Sequence, residues 1–115
     1  VKTLQERPQL VQRFVAAIAE SALFVEKNPD KAKASVAKAL KLNDPETLQS
    51  SYDAYAKSII NRKMIVPPDQ VAEAVEIAKA ESTVRRKPTD LYDNRFAADL
   101  EKSGFLKELW GGKVP

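Results

Sequence analysis

The sequence predicts an all-α chain of five or six helices, and three observations carry that reading. Only three Gly stand against seven Pro in 115 lysine- and alanine-rich residues. Apolar residues recur at three- and four-residue spacing over most of the chain. The prolines stand at the heads of these periodic stretches, two of them directly behind an Asn or Asp. Proline fits the first turn of a helix and breaks its interior, so each of these positions reads as a start.

Pro8 opens the first helix, with Leu10, Val11, Phe14, Val15, Ile18, Ala22 and Val25 on one broad apolar face expected to be buried. At Asn28-Pro29 the Asn side chain is expected to accept free amides at the start of a second helix, whose stripe is Ala32, Val36 and Leu40. Asp44-Pro45-Glu46 repeats the device for a third helix ending near Asn61, with Leu48, Tyr52, Tyr55, Ala56 and Ile59 facing inward. The joint of about three residues between them favours adjacent, antiparallel packing.

Residues 63–67 are β-branched and close to proline, which predicts an extended run. Pro68-Asp69 restarts a helix with Val71, Ala74, Val75 and Ala78 as its stripe, fading near Glu81 into the polar segment 82–90. Asp93 or Asn94 starts a short helix with Phe96 and Leu100 one turn apart, and Gly104 supplies the left-handed residue that stops it. Phe105, Leu106, Leu109 and Trp110 then form a final turn ended by Gly111-Gly112. The two Asx-Pro starts, 16 residues apart, are caps, and the chain carries no strong internal repeat and no low-complexity segment.

At 12.8 kDa, with a mean hydropathy of -0.40, 43% hydrophobic and 30% charged residues, the chain fits one small domain or a piece of a larger one. Residues 1–115 are read as a single unit. A compact fold of this mass exposes roughly 6,300 Å² against about 18,600 Å² unfolded. No stretch approaches the ~20 apolar residues that span a bilayer, and the chain contains neither an apolar signal core nor an initiator Met. With no His and no Cys, a Ser-His-Asp triad, a thiol nucleophile, a Cys/His zinc site and a disulfide framework are all excluded. Carboxylate chemistry stays open, and cysteine usage leaves the compartment open too.

A net charge of +3 and a pI near 9.2 raise nucleic-acid binding, centred on Arg62-Lys63 and Arg85-Arg86-Lys87. Sixteen acidic residues are interspersed with nineteen basic ones, and neither a Gly-aromatic RNA motif nor zinc-finger spacing accompanies the clusters, so a solvated surface is expected. Arg85 and Arg86 would also suit a phosphate or sulfonate, but their polar, proline-flanked segment has no glycine-rich loop and reads as linker charge. Tyr52 and Tyr55 would stack on an aromatic ligand; their place beside Leu48 and Ile59 favours core packing with hydroxyls outward. Asp90 with Asp93, and Glu73 with Glu76, have the one-turn spacing of a metal or acid-base pair. No orienting His or nucleophile accompanies them, so they read as surface charge and a cap. The expectation is a protein that is not an enzyme and holds no metal or cofactor.

Taken in order, ERPQLVQRFVAAIAESALFVEKNPDKA, LNDPETLQSSYDAY and DLYDNRFAADLEKSGFLKELW resemble the C-terminal part of nitrate/sulfonate/taurine-type substrate-binding proteins of ABC importers, including their thiamine-precursor-like relatives. The resemblance covers nearly the whole chain and is most specific from Asp93 to Phe105. It implies a parent of two α/β lobes, of the type II periplasmic-binding-protein fold, with a ligand cleft between them and a membrane permease and ATPase as partners. This chain is then an all-α fragment without a complete ligand site, and the setting is periplasmic or extracytoplasmic and membrane-anchored. The captured solute would be small, anionic or heterocyclic.

The family positions matched by Asp93, Arg95, Phe96, Gly104 and Phe105 belong to a structural motif and hold no ligand. Read from the residues themselves, Asp93 caps, Phe96 and Phe105 bury, Gly104 terminates, and Arg95 pairs with a nearby carboxylate. The alternative reading is a free-standing helical protein-interaction module; a nucleic-acid binder ranks third. A fragment of this kind leaves apolar faces uncovered at Phe14, Ile18, Tyr52, Phe96, Phe105, Leu109 and Trp110, and a homo-oligomer is the expected remedy.

Overall fold

The computed structural model describes residues 2–81 and 86–112. They form α1 (Lys2–Glu6), α2 (Pro8–Lys27), α3 (Pro29–Leu40), α4 (Pro45–Ala54), α5 (Pro68–Glu81), α6 (Arg95–Lys102) and α7 (Phe105–Leu109). A π-helical turn at Tyr55–Ile59 extends α4, and a 3₁₀ turn at Pro88–Asp90 precedes α6. No strand occurs among the described residues, so the all-α class holds, with seven α-helices in place of five or six. The additional one is α1, whose five residues are too few for a hydrophobic period to register.

Pro8, Pro29, Pro45 and Pro68 each occupy the first residue of a helix, and Pro88 the first of the 3₁₀ turn, as their fixed φ and missing N–H dictate. Asp44 caps α4 as expected, its Oδ2 accepting the Thr47 N–H at 2.8 Å and the Thr47 hydroxyl. Asn28 does not cap α3: its Nδ2 turns back and donates to the Phe24 carbonyl at 3.0 Å, finishing α2 instead. The Phe24 carbonyl, which also accepts the Asn28 backbone N–H at 2.9 Å, takes the amide as a second donor at the end of this 20-residue helix, and an amide can donate as readily as it accepts. Lys41 ends α3 in the left-handed conformation (φ 52), and the short joint that follows lets α3 and α4 pack side by side, with Lys33 Nζ donating to Gln49 Oε1 at 2.8 Å.

The core is small. Ala19 of α2, Leu100 of α6 and Leu106 of α7 form its buried centre, with Val15, Ala16, Met64, Phe105, Leu109 and Trp110 packed around them. Two alanines on α2 let α6 and α7 lie close against it, and Gln12 Nε2 donates to the Phe96 carbonyl at 3.1 Å. The single apolar face expected for α2 therefore divides. Val15 turns inward, whereas Leu10, Phe14 and Ile18 are 52, 64 and 45% exposed. Val36, Leu40, Tyr55 and Ile59, also expected inside, are exposed as well. On α5 the buried residue is Val75, and Ala74 faces water.

The run 63–67 is not uniformly extended. Met64 N–H donates to the Asn61 carbonyl at 3.0 Å, closing a turn, and Met64 itself has φ 56. Asn61 drives this, its side chain accepting the Lys63 N–H at 3.1 Å and donating to the Ile65 carbonyl. Beyond the turn, Asn94 clamps Val66 through both backbone groups, at 2.8 and 2.9 Å.

The radius of gyration is 16.8 Å and the extents are 42 × 40 × 26 Å, against about 13 Å for a compact chain of this length. The accessible surface is 8,764 Å², roughly 2,500 Å² above the compact expectation. Among the described residues no helix is long and apolar enough to cross a membrane.

Candidate functional site

At the start of α6 the side chains of the carboxy-terminal segment bond locally. Asp93 Oδ1 accepts the Arg95 N–H at 3.1 Å, and its two oxygens take the Arg95 guanidinium at 2.7 to 3.1 Å. Asp93 thus covers an open amide at the start of α6, as a cap does, and pairs with Arg95. The guanidinium hydrogen bond holds the Asp93 carboxyl below the usual carboxylate range, with the backbone N–H adding to it, and raises Arg95 in turn. Phe96 is buried and Phe105 half-buried on the core, while Gly104 has φ 82, the left-handed stop between α6 and α7. All five residues do structural work.

Arg62 and Lys63, read from the sequence as surface charge, are instead partly covered and engaged. Arg62 pairs with Glu26 near the end of α2 and lies over the Trp110 ring, 4.6 Å from its centroid. One side chain therefore links the end of α2, the 61–67 loop and the residue closing α7. A cation over an indole with a carboxylate at its other edge is held by two attractions that reinforce each other in a partly dry site. Lys63 approaches Glu101 at 3.8 Å. Tyr52 corrects another expectation: its hydroxyl is not outward but donates to the Val25 and Glu26 carbonyls, at 3.0 and 3.3 Å. Those carbonyls lie in the last turn of α2, where acceptors go unpaired.

Beside this junction, α2, α3 and α4 enclose an apolar groove of about 470 Å³, lined chiefly by Phe24, Val25, Ala32, Val36, Leu48, Tyr52 and Tyr55. Tyr55 presents its ring to this groove and to solvent and is not core. A second, polar depression is lined by Glu26, Tyr52, Asn61, Arg62 and Lys63, the groups that already satisfy one another. Nothing in the sequence spacing singled out the groove, because its walls come from three helices whose stripes each read as ordinary core.

The one-turn carboxylate pairs are not brought to a common point. Asp90 accepts the Lys87 N–H at 3.2 Å while Asp93 holds Arg95, and Glu76 pairs with Lys79 at 2.7 Å. Among the described residues no three acidic groups converge as metal ligands would. Arg86 and Lys87 are exposed; Arg85 lies outside the described residues. Comparison with protein-family models, with curated proteins and with solved structures returned no match. What the geometry offers is an apolar groove open to solvent beside a polar junction whose residues Glu26, Tyr52, Asn61 and Arg62 are engaged within the chain.

Proposed function

We propose that this chain is a helical part of the extracytoplasmic solute-binding component of an ABC importer, where it belongs to the scaffold of a protein that captures a small anionic or heterocyclic solute. The ordered likeness of the three segments, most specific from Asp93 to Phe105, suggests the family. The observation that carries the structural half of the reading is the uncovered surface, roughly 2,500 Å² more than a compact chain exposes. Helices that are apolar on two sides belong to a larger layered protein, in which a sheet or second lobe covers the open side. The reading assigns solute contact and delivery to a permease and ATPase to the whole protein, with no ligand residue in this piece.

Two measurements test it. The reading frame through Val1, determined on genomic DNA, is expected to continue upstream into two α/β lobes behind a signal peptide. Calorimetry of the 115-residue chain is expected to give no saturable binding of nitrate, taurine or an alkanesulfonate. A frame that opens at Val1, or a one-to-one isotherm tighter than about 10 µM, would overturn the assignment. The first result would favour the alternative, a self-sufficient helical interaction module, which draws on the same apolar groove.

A further inference from the structure

We infer that two copies of this chain associate about a two-fold axis, α2 lying antiparallel on α2, with Leu10, Phe14 and Ile18 of each copy seated in the apolar groove of the other. The inference rests on geometry; it draws on the same uncovered surface as the importer reading and concerns the 115-residue chain by itself, where a second copy takes the place of the missing cover. At 100° per residue, Leu10, Phe14 and Ile18 share one side of α2 with Ser21, Phe24 and Val25, and that side is opposite Ala19. The N-terminal half of this side is a projecting apolar ridge, open to water. The C-terminal half is one wall of the groove closed by α3 and α4.

Ridge and groove are therefore collinear on one helix, with Phe14 and Phe24 about 15 Å apart along it. A two-fold axis between them carries each ridge into the other groove, so the contact closes on itself and needs no third copy. Near that axis the exposed residues of α2 on this side are Ala17, Ile18 and Ser21. Ala17 and Ser21 form the crossing line and are small enough for two helices to approach to the usual 8–10 Å, with Ile18 flanking it toward the partner's groove. The groove volume of about 470 Å³ falls in the range that encloses compact apolar bodies. A stable dimer needs about 800 Å² from each partner, and the ridge and groove are part of a chain whose total exposed surface exceeds the compact expectation by roughly 2,500 Å².

Other exposed apolar residues, such as Ile77 on α5 and Leu91, lie outside this groove and serve as controls. Sedimentation velocity of the 115-residue chain up to about 100 µM is expected to give twice the 12.8 kDa chain mass. Phe14→Glu and Val36→Glu, both at exposed positions, are each expected to weaken association at least about tenfold with helicity by circular dichroism unchanged, and Ile77→Glu to leave it intact. Because the chain has no cysteine, an oxidised mixture of the Ala17→Cys and Ser21→Cys variants is expected to yield a cross-linked pair, and Ile77→Cys none. A monomer at the highest concentration, a dimer indifferent to both Glu variants, assembly beyond two copies, or failure of the 17–21 cross-link would each overturn the inference.

Discussion

Leu106 has no surface left to water, and the core around it draws on α2, α6, α7, Met64 of the 61–67 loop and Trp110. Replacing it with Ala removes about 2–5 kcal/mol from a domain whose whole stability lies near 5–15 kcal/mol. Leu106→Ala is therefore expected to lose its cooperative thermal transition; a sharp melt within a few degrees of the parent contradicts that. Asp44 acts by charge and capping instead. Its bonds with Thr47, the side-chain one first, hold the carboxyl below its ordinary value, so its stabilisation is complete above the unfolded carboxylate range and is lost as pH falls through the lower folded value. Asp44→Ala is expected to lower the melting midpoint by a few degrees at pH 7, and that difference should shrink as the melts are repeated toward pH 3. Arg62 shows what a sequence hides at this scale. Its partners are 36 and 48 positions away, at Glu26 and Trp110, so adjacency to Lys63 was the only visible cue and it pointed to solvent.

Where helices start was legible, as were the ends made by glycine and the stop near Asn61, whereas how the other ends are finished was not, for a physical reason. A start here is a local event, made by Pro and by a cap within three residues, as at Asp44. The ends use whatever is nearby: Lys41 takes a left-handed conformation that Gly usually supplies, Asn28 caps backwards, and α4 widens into a π turn through the Ile60 N–H to Tyr55 carbonyl bond. Gly104 and the Gly111-Gly112 pair are the exceptions, with φ 82, 68 and 91 and open space where a Cβ would go. Gly104→Ala is thus expected to cost only the conformational penalty, about 1–2 kcal/mol, read from the urea midpoint, with Gly104→Asn recovering part of it. Neither carboxylate spacing nor charge revealed the clamp of Asn94 on Val66, because its two bonds join positions 28 apart. Asn94→Ala is expected to cost about 1 kcal/mol in the same titration, with no change in helix content.

At the scale of the molecule, the fold class was readable and the compactness was not. Periodicity locates apolar residues on a helix but does not say how many partners the helix has; α2 carries apolar residues on two sides, and within this chain α6 and α7 serve only one along its N-terminal half. The exposed surface of 8,764 Å² means that folding a single copy hides little more than half of the unfolded total. The monomeric Phe14→Glu variant is accordingly expected to unfold with a heat-capacity change below about 1.4 kcal/mol/K, the lower bound for 115 ordinary residues. Calorimetry giving a larger value would mean that the open surface closes in solution.

The bond between Gln12 and Phe96 spans 84 positions, whereas Lys33 and Gln49 are 16 apart. Closing the longer loop costs about 1.5 kcal/mol more in chain entropy, so the α3–α4 hairpin assembles early and α2 waits for α6 and α7. Trp110, the only indole, sits in the late-arriving segment, and its emission on refolding should lag behind the recovery of helical signal. During synthesis α2 is made before α6 and α7, so its core side at Ala19 has no partner until Leu106 has been made.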